Sequence, residues 1–141
     1  MQFFAPPASA EAWQDRSPLS VNAGAAGSLN NDTAGTVRWT YTVPAGRRAF
    51  IGAYFASAYA TVPGVGDVHL FTIAVIPSGG AEYAIYRTFK QPELAASEGK
   101  NGNGTGVWMA AGDVIHMTTV TINATGTTIY TSGMSGLEFD A

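Results

Sequence analysis

The segment Val37-Arg38-Trp39-Thr40-Tyr41-Thr42-Val43 places a large apolar residue at every odd position and Arg or Thr at every even one. A repeat of two belongs to a strand with one buried face, and a helix has no use for it. Pro44-Ala45-Gly46 follows with turn composition. Beyond it, 48–60 and 68–76 are rich in Ile, Val, Phe, Tyr and Ala, as expected of fully or largely buried strands. The small residues Gly52, Ala53, Ala56 and Ala58 weaken the first of these runs as a regular strand and predict a bulge in it.

Pro77-Ser78-Gly79-Gly80 has the composition of a hairpin loop, so 68–76 and 82–89 are expected to pair antiparallel. Strands are also expected at 107–110, 114–122, 127–131 and 137–139, the last two separated by a turn at 133–136. About eight short-spaced strands with no helical pattern between them predict an all-β protein, an antiparallel β-sandwich or jelly roll.

The first 36 residues differ from the rest. Phe3, Phe4 and Trp13 are set among Ala, Pro, Ser and Asn, and Pro6-Pro7 favours extended backbone while removing two amide donors. Residues 9–16 suit a helical turn or two, ended by Pro18, and 20–35 is small and polar enough to predict a loop or irregular edge. The expected organisation is therefore an extended N-terminal arm and irregular segment over 1–36, followed by a β domain over 37–141. The three aromatics are the candidate partner-binding anchors, docking into a neighbouring subunit or larger assembly. The competing reading folds the arm back to cap its own sandwich. The glycine-rich stretch near 90–106 is expected to be a long surface loop.

Only 12% of the 141 residues are charged, about half the usual share. Thr, Ser, Asn, Gly and Ala must then cover much of the outside. A surface so poor in charge is expected where much of it faces other protein chains, since interface cores are depleted in charge. The alternative is a monomeric β-sandwich with a Thr-rich outer face. A net charge of −3 argues against a nucleic-acid partner, because phosphates call for a basic patch and Arg47-Arg48 is the one basic pair. No apolar run approaches a membrane span, and residues 1–7 lack the basic and apolar regions of a signal peptide.

Chemistry has few footholds. The absence of cysteine removes disulfides, thiol catalysis and thiolate metal sites. His69 and His116 lie inside strands, so a metal site would need assembly across strands with Asp67, Glu82 or Asp113. Solvent-facing or hydrogen-bonded strand histidines are the expectation. A G-x-S-x-G elbow and a P-loop are both missing. Accordingly no catalytic, cofactor-binding or metal-binding residue is named, no cofactor is expected, and the chain is not read as an enzyme. Trp39 and Trp108 suggest a sugar platform, although Trp39 lies on the apolar face of its strand, where core packing is expected.

Two spacings carry a resemblance: Val43-Pro44-Ala45-Gly46-Arg47-Arg48-Ala49 before one long strand, and Ala110-Ala111-Gly112-Asp113-Val114-Ile115 before another. The chain resembles the small jelly-roll proteins of tailed-bacteriophage virions, and its Gly-Asp turn is similar to that of trimeric jelly rolls of the tumour-necrosis-factor type. In the turn, Gly frees the backbone and Asp is expected to bond the next amides. Among phage proteins, the chain most resembles a capsid decoration, or cement, protein. This resemblance implies a homotrimer on the outer capsid surface of the virion, bridging major capsid protein subunits against internal pressure. The alternatives are a trimeric receptor- or glycan-binding fibre head, or a free carbohydrate-binding module.

Overall fold

The computed structural model describes residues 19–62, 68–90, 106–122 and 125–141. They form eight strands: β1 (Leu19–Ser28), β2 (Asp32–Thr42), β3 (Arg47–Val62), β4 (Val68–Ile76), β5 (Tyr83–Lys90), β6 (Val107–Met109), β7 (Val114–Ile122) and β8 (Thr127–Asp140). One sheet, here sheet A, has the order β1-β8-β3-β6; the other, sheet B, has β2-β7-β4-β5. All pairings are antiparallel. The protein is an all-β sandwich of eight strands.

The connectivity is that of a folded ribbon. The β4–β5 hairpin lies at its tip, and β3 with β6, β2 with β7 and β1 with β8 are successive rungs away from it. Rolling that ribbon brings β8 against β3 and β7 against β4, which closes the two sheets. This is the jelly-roll path. Between the sheets lies one core, with Trp39, Ile51, Tyr54, Phe71, Ile73, Ile115, Met117 and Tyr130 all buried.

The turns behave as their residues require. Arg47 N donates to Pro44 O across the first turn, and Gly80 N donates to Pro77 O across the β4–β5 hairpin. At 110–113, Gly112 takes a φ of 85°, a region only glycine enters freely. Asp113 does not bond the amides that follow it, as the motif suggested. Its carboxylate reaches back to Ala110 N and across to Ser78 N, both at 2.8 Å, and so staples this turn to the β4–β5 hairpin.

Three expectations are corrected. Residues 20–35, expected to be a loop or irregular edge, contain β1 from its second residue onward and the start of β2, so a division at 36/37 runs through a strand. Small residues suit this strand because β8, its neighbour, is itself small there: Gly24 faces Gly133 and Ala25 faces Ser132. Second, 133–136 is not a turn, since β8 runs unbroken for 14 residues. Gly136 serves close approach instead, because a Cβ there would lie 2.3 Å from Phe50 O on β3. The total of eight strands is thus reached by adding one at the start and fusing two at the end. Third, the alternation in β2 is interrupted. A register shift between Val37 and Trp39 turns Val37 outward, and Arg38 joins Trp39 on the inner side, where its Nε donates to buried Thr119 Oγ1 at 2.8 Å. The bulge expected in β3 is present, as a shift between Ile51 and Ala53 at Gly52.

Candidate docking face

Each strand of sheet A sends alternate side chains outward. From β1 these are Ser20, Asn22, Gly24 and Ala26; from β8, Thr131, Ser135, Leu137 and Phe139; from β3, Arg48, Phe50, Ala53 and Phe55; and from β6, Trp108. Arg48 is the only charged side chain among the described outward residues of this sheet. The outer face of sheet B differs: it carries Arg87 and a His116–Glu82 contact at 3.3 Å among threonines such as Thr40 and Thr42.

Aromatic rings gather at the β6 side of the sheet A face. Phe50 and Trp108 have ring centroids 4.9 Å apart, and Trp108 and Phe139 are 5.8 Å apart, both pairs tilted. The Arg48 guanidinium lies over Trp108 and Phe139 at 5.8 and 5.9 Å. Trp108 remains 61% exposed. Its register opposite Phe50 is set by the three-residue β6, which pairs with Ala49, Phe50 and Ile51 near the start of β3. Beside the rings is a shallow depression of ≈ 370 Å³, floored by Gly52, Ala53, Ser135 and Gly136 and walled by Phe50, Leu137, Ser20 and Asn22. A standing aromatic group next to a hollow of small residues gives the face relief, with Arg48 as its one described charge.

Polar groups gather at the two ends of the interior, with one relay between them. Near the Pro44–Gly46 turn, Glu138 accepts from Tyr41 Oη at 2.9 Å and from Arg47 Nε at 2.7 Å, while Arg47 Nη1 also bonds Asp140. Burial, then the hydrogen bond to Glu138, pushes the Tyr41 hydroxyl up to about 12. At the opposite end His69 is fully buried, with Nδ1 3.3 Å from Thr121 Oγ1, and Arg38 lies 5.0 Å over the Tyr130 ring. Between these ends Trp39 Nε1 donates to Ser132 Oγ at 2.9 Å, and Ser132 Oγ donates to Phe55 O at 2.7 Å. This chain of bonds ties β2 of one sheet to β8 and β3 of the other. Trp39 is accordingly a core residue, as its position predicted, and of the two described tryptophans Trp108 is the one at the surface.

The histidines do not meet. His69 points into the core from β4 and His116 outward from β7, on opposite sides of sheet B. Asp113 is engaged in its turn, and Asp67 lies outside the described residues. Among the described residues no group of three or more His, Asp or Glu is placed to hold a metal ion. The arm anchors Phe3, Phe4 and Trp13 also lie outside the described residues, as does most of 90–106.

Sequence reasoning had 48–60 as a largely buried strand and so missed Arg48, Phe50 and Phe55 as surface groups. The one signal was Arg48, a charge at the start of the run; Phe50 and Ile51 are both large and apolar, yet they face opposite sides, so composition does not separate the two faces. Comparison with protein-family models, with curated proteins and with solved structures gave no match to this chain.

Proposed function

We propose that this protein is a structural assembly module that works by burying the outer face of sheet A against other protein chains. The reading is supported above all by that face itself: a four-stranded surface with one charged side chain, an exposed Trp108 cluster and an adjoining hollow. Burying charge is costly unless it is paired, so a face whose one charge, Arg48, is stacked on Trp108 and Phe139 carries little of that penalty. Trp and Arg are the residues that most often dominate an interface, and Arg48 is already stacked before any partner arrives. A standard interface removes about 1,600 Å² from water, and several identical weak contacts on one lattice multiply into firm attachment.

The particular assembly is the outer shell of a tailed phage, which the chain's turn motifs and jelly-roll path resemble. There an oligomer of the protein bridges major capsid subunits and resists internal pressure, as a decoration protein does. The test is co-sedimentation with DNA-free heads of the virus that encodes it. The wild-type chain is expected to pellet with heads, and Trp108→Ser to lose about 30-fold or more in affinity, the effect of about 2 kcal/mol at a central anchor. A chain that stays in the supernatant but labels a glycan array through Trp108 would overturn the capsid reading in favour of a sugar-binding head.

A further inference from the structure

We propose that β1 is a self-pairing edge: two copies of the chain join through antiparallel β1 strands, about a two-fold axis, into one continuous eight-stranded sheet. The inference concerns the edge of sheet A rather than its face, and it stands whether or not the capsid reading holds.

A sheet edge presents a row of unpaired amides and carbonyls to any passing strand, and proteins that stay single blunt their edges with charge, proline, bulges or brevity. The sandwich has four edges, β1 and β6 in sheet A and β2 and β5 in sheet B. Three are blunted. β2 has two register shifts and carries Asp32 and Arg38. β5 has a register shift opposite Ile73 and Ala74 and carries Arg87. β6 is three residues long.

β1 has none of these devices. It runs for ten residues, Leu-Ser-Val-Asn-Ala-Gly-Ala-Ala-Gly-Ser, without a charge or a proline. Its register with β8 is continuous from Leu19↔Glu138 to Ser28↔Ile129, with no bulge to twist it away. No described strand lies beyond it. At about 3.4 Å per residue it offers roughly 34 Å of straight edge, enough for a ladder of about ten backbone bonds.

A second copy is the occupant that fits this edge. Antiparallel pairing of a strand with itself has two-fold symmetry by construction, and every contact is made twice. No like charges meet, because β1 has none, and Ser20, Asn22 and Ala26 are too small to obstruct the neighbouring strand. A charged partner strand would find nothing to match. Pairing also joins the outer faces of the two A sheets, each with Arg48 as its one described charge, side by side, doubling the proposed docking surface. Such an edge associates copies two by two, not in the threes that the phage and tumour-necrosis-factor resemblances imply.

The test is the solution mass of the full chain at micromolar concentration, with backbone hydrogen exchange over 19–28. The expected mass is twice 14.6 kDa, with slow exchange at consecutive β1 amides. Asn22→Lys with Ala26→Lys, both on exposed outward positions, is expected to halve the mass and leave only alternate amides slow, with the far-ultraviolet β signal retained. A wild-type mass of one or three copies overturns the inference, as does a dimer in which β1 exchanges at every second amide. A single copy with all β1 amides slow also overturns it, since the chain would then be covering its own edge. If the double variant fails to fold, the wild-type mass and exchange pattern decide alone.

Discussion

Ser132 holds the two sheets in register by a relay of two hydrogen bonds, from the Trp39 indole to its hydroxyl and on to the Phe55 carbonyl. Ser132→Ala leaves a buried indole N–H without an acceptor, and an unsatisfied buried donor costs about 1–3 kcal/mol. Urea unfolding should show that loss as a lower midpoint at unchanged slope. Tyr41 makes a separate prediction. An unfolded tyrosine titrates near 10, whereas burial and Glu138 hold this one to about 12. Because the native state keeps the proton to higher pH, the contribution is complete below about pH 10 and is lost as pH rises toward 12. Unfolding midpoints measured from pH 9 to 12 are expected to fall less for Tyr41→Phe than for wild type. At this scale Trp39 was legible, since it sits mid-strand in a clean alternation. Arg38 and Val37 were not, because a bulge exchanges their sides and leaves no trace in the alternation itself.

Among the elements, those legible in the sequence are the ones whose side chains alternate or whose turns carry Pro and Gly: β2 near Trp39, β4, β5, β7 and the two turns at 44–46 and 77–80. β1 and β8 were hidden for one common physical reason. Gly and Ser usually punctuate chains, yet here they let β8 lie between β1 and β3, where a Cβ in place of the Gly136 hydrogen would come within 2.3 Å of Phe50 O. Local composition cannot separate a glycine that turns the chain from one that admits a neighbour. The Gly-Asp turn was recognisable, but its bonding partners were not, because Ser78 is 35 residues away from Asp113. Asp113→Ala should lower stability by about 1–3 kcal/mol, since bonds to a charged acceptor are the stronger class. Asp113→Asn, which keeps one acceptor oxygen, should recover part of the loss in the same unfolding assay.

For the molecule as a whole, the scarcity of charge led to the expectation of a docking surface without placing one. The face of sheet A is assembled from Ser20, Arg48, Trp108, Ser135 and Phe139, far apart in the chain and neighbours only once four strands are in register. What composition did convey was that the uncharged surface had to lie somewhere. Among the described residues, the outer face of sheet A carries one charge, Arg48, while Arg87, Glu82 and His116 lie on the sheet B side. The most direct test plants one charge on each face and compares binding to the viral heads. Ser135→Arg, in the hollow beside Phe50, is expected to abolish co-sedimentation, while Thr40→Arg on sheet B leaves it within about twofold of wild type. Undiminished binding by the Ser135 variant, or loss confined to the Thr40 variant, would contradict the account.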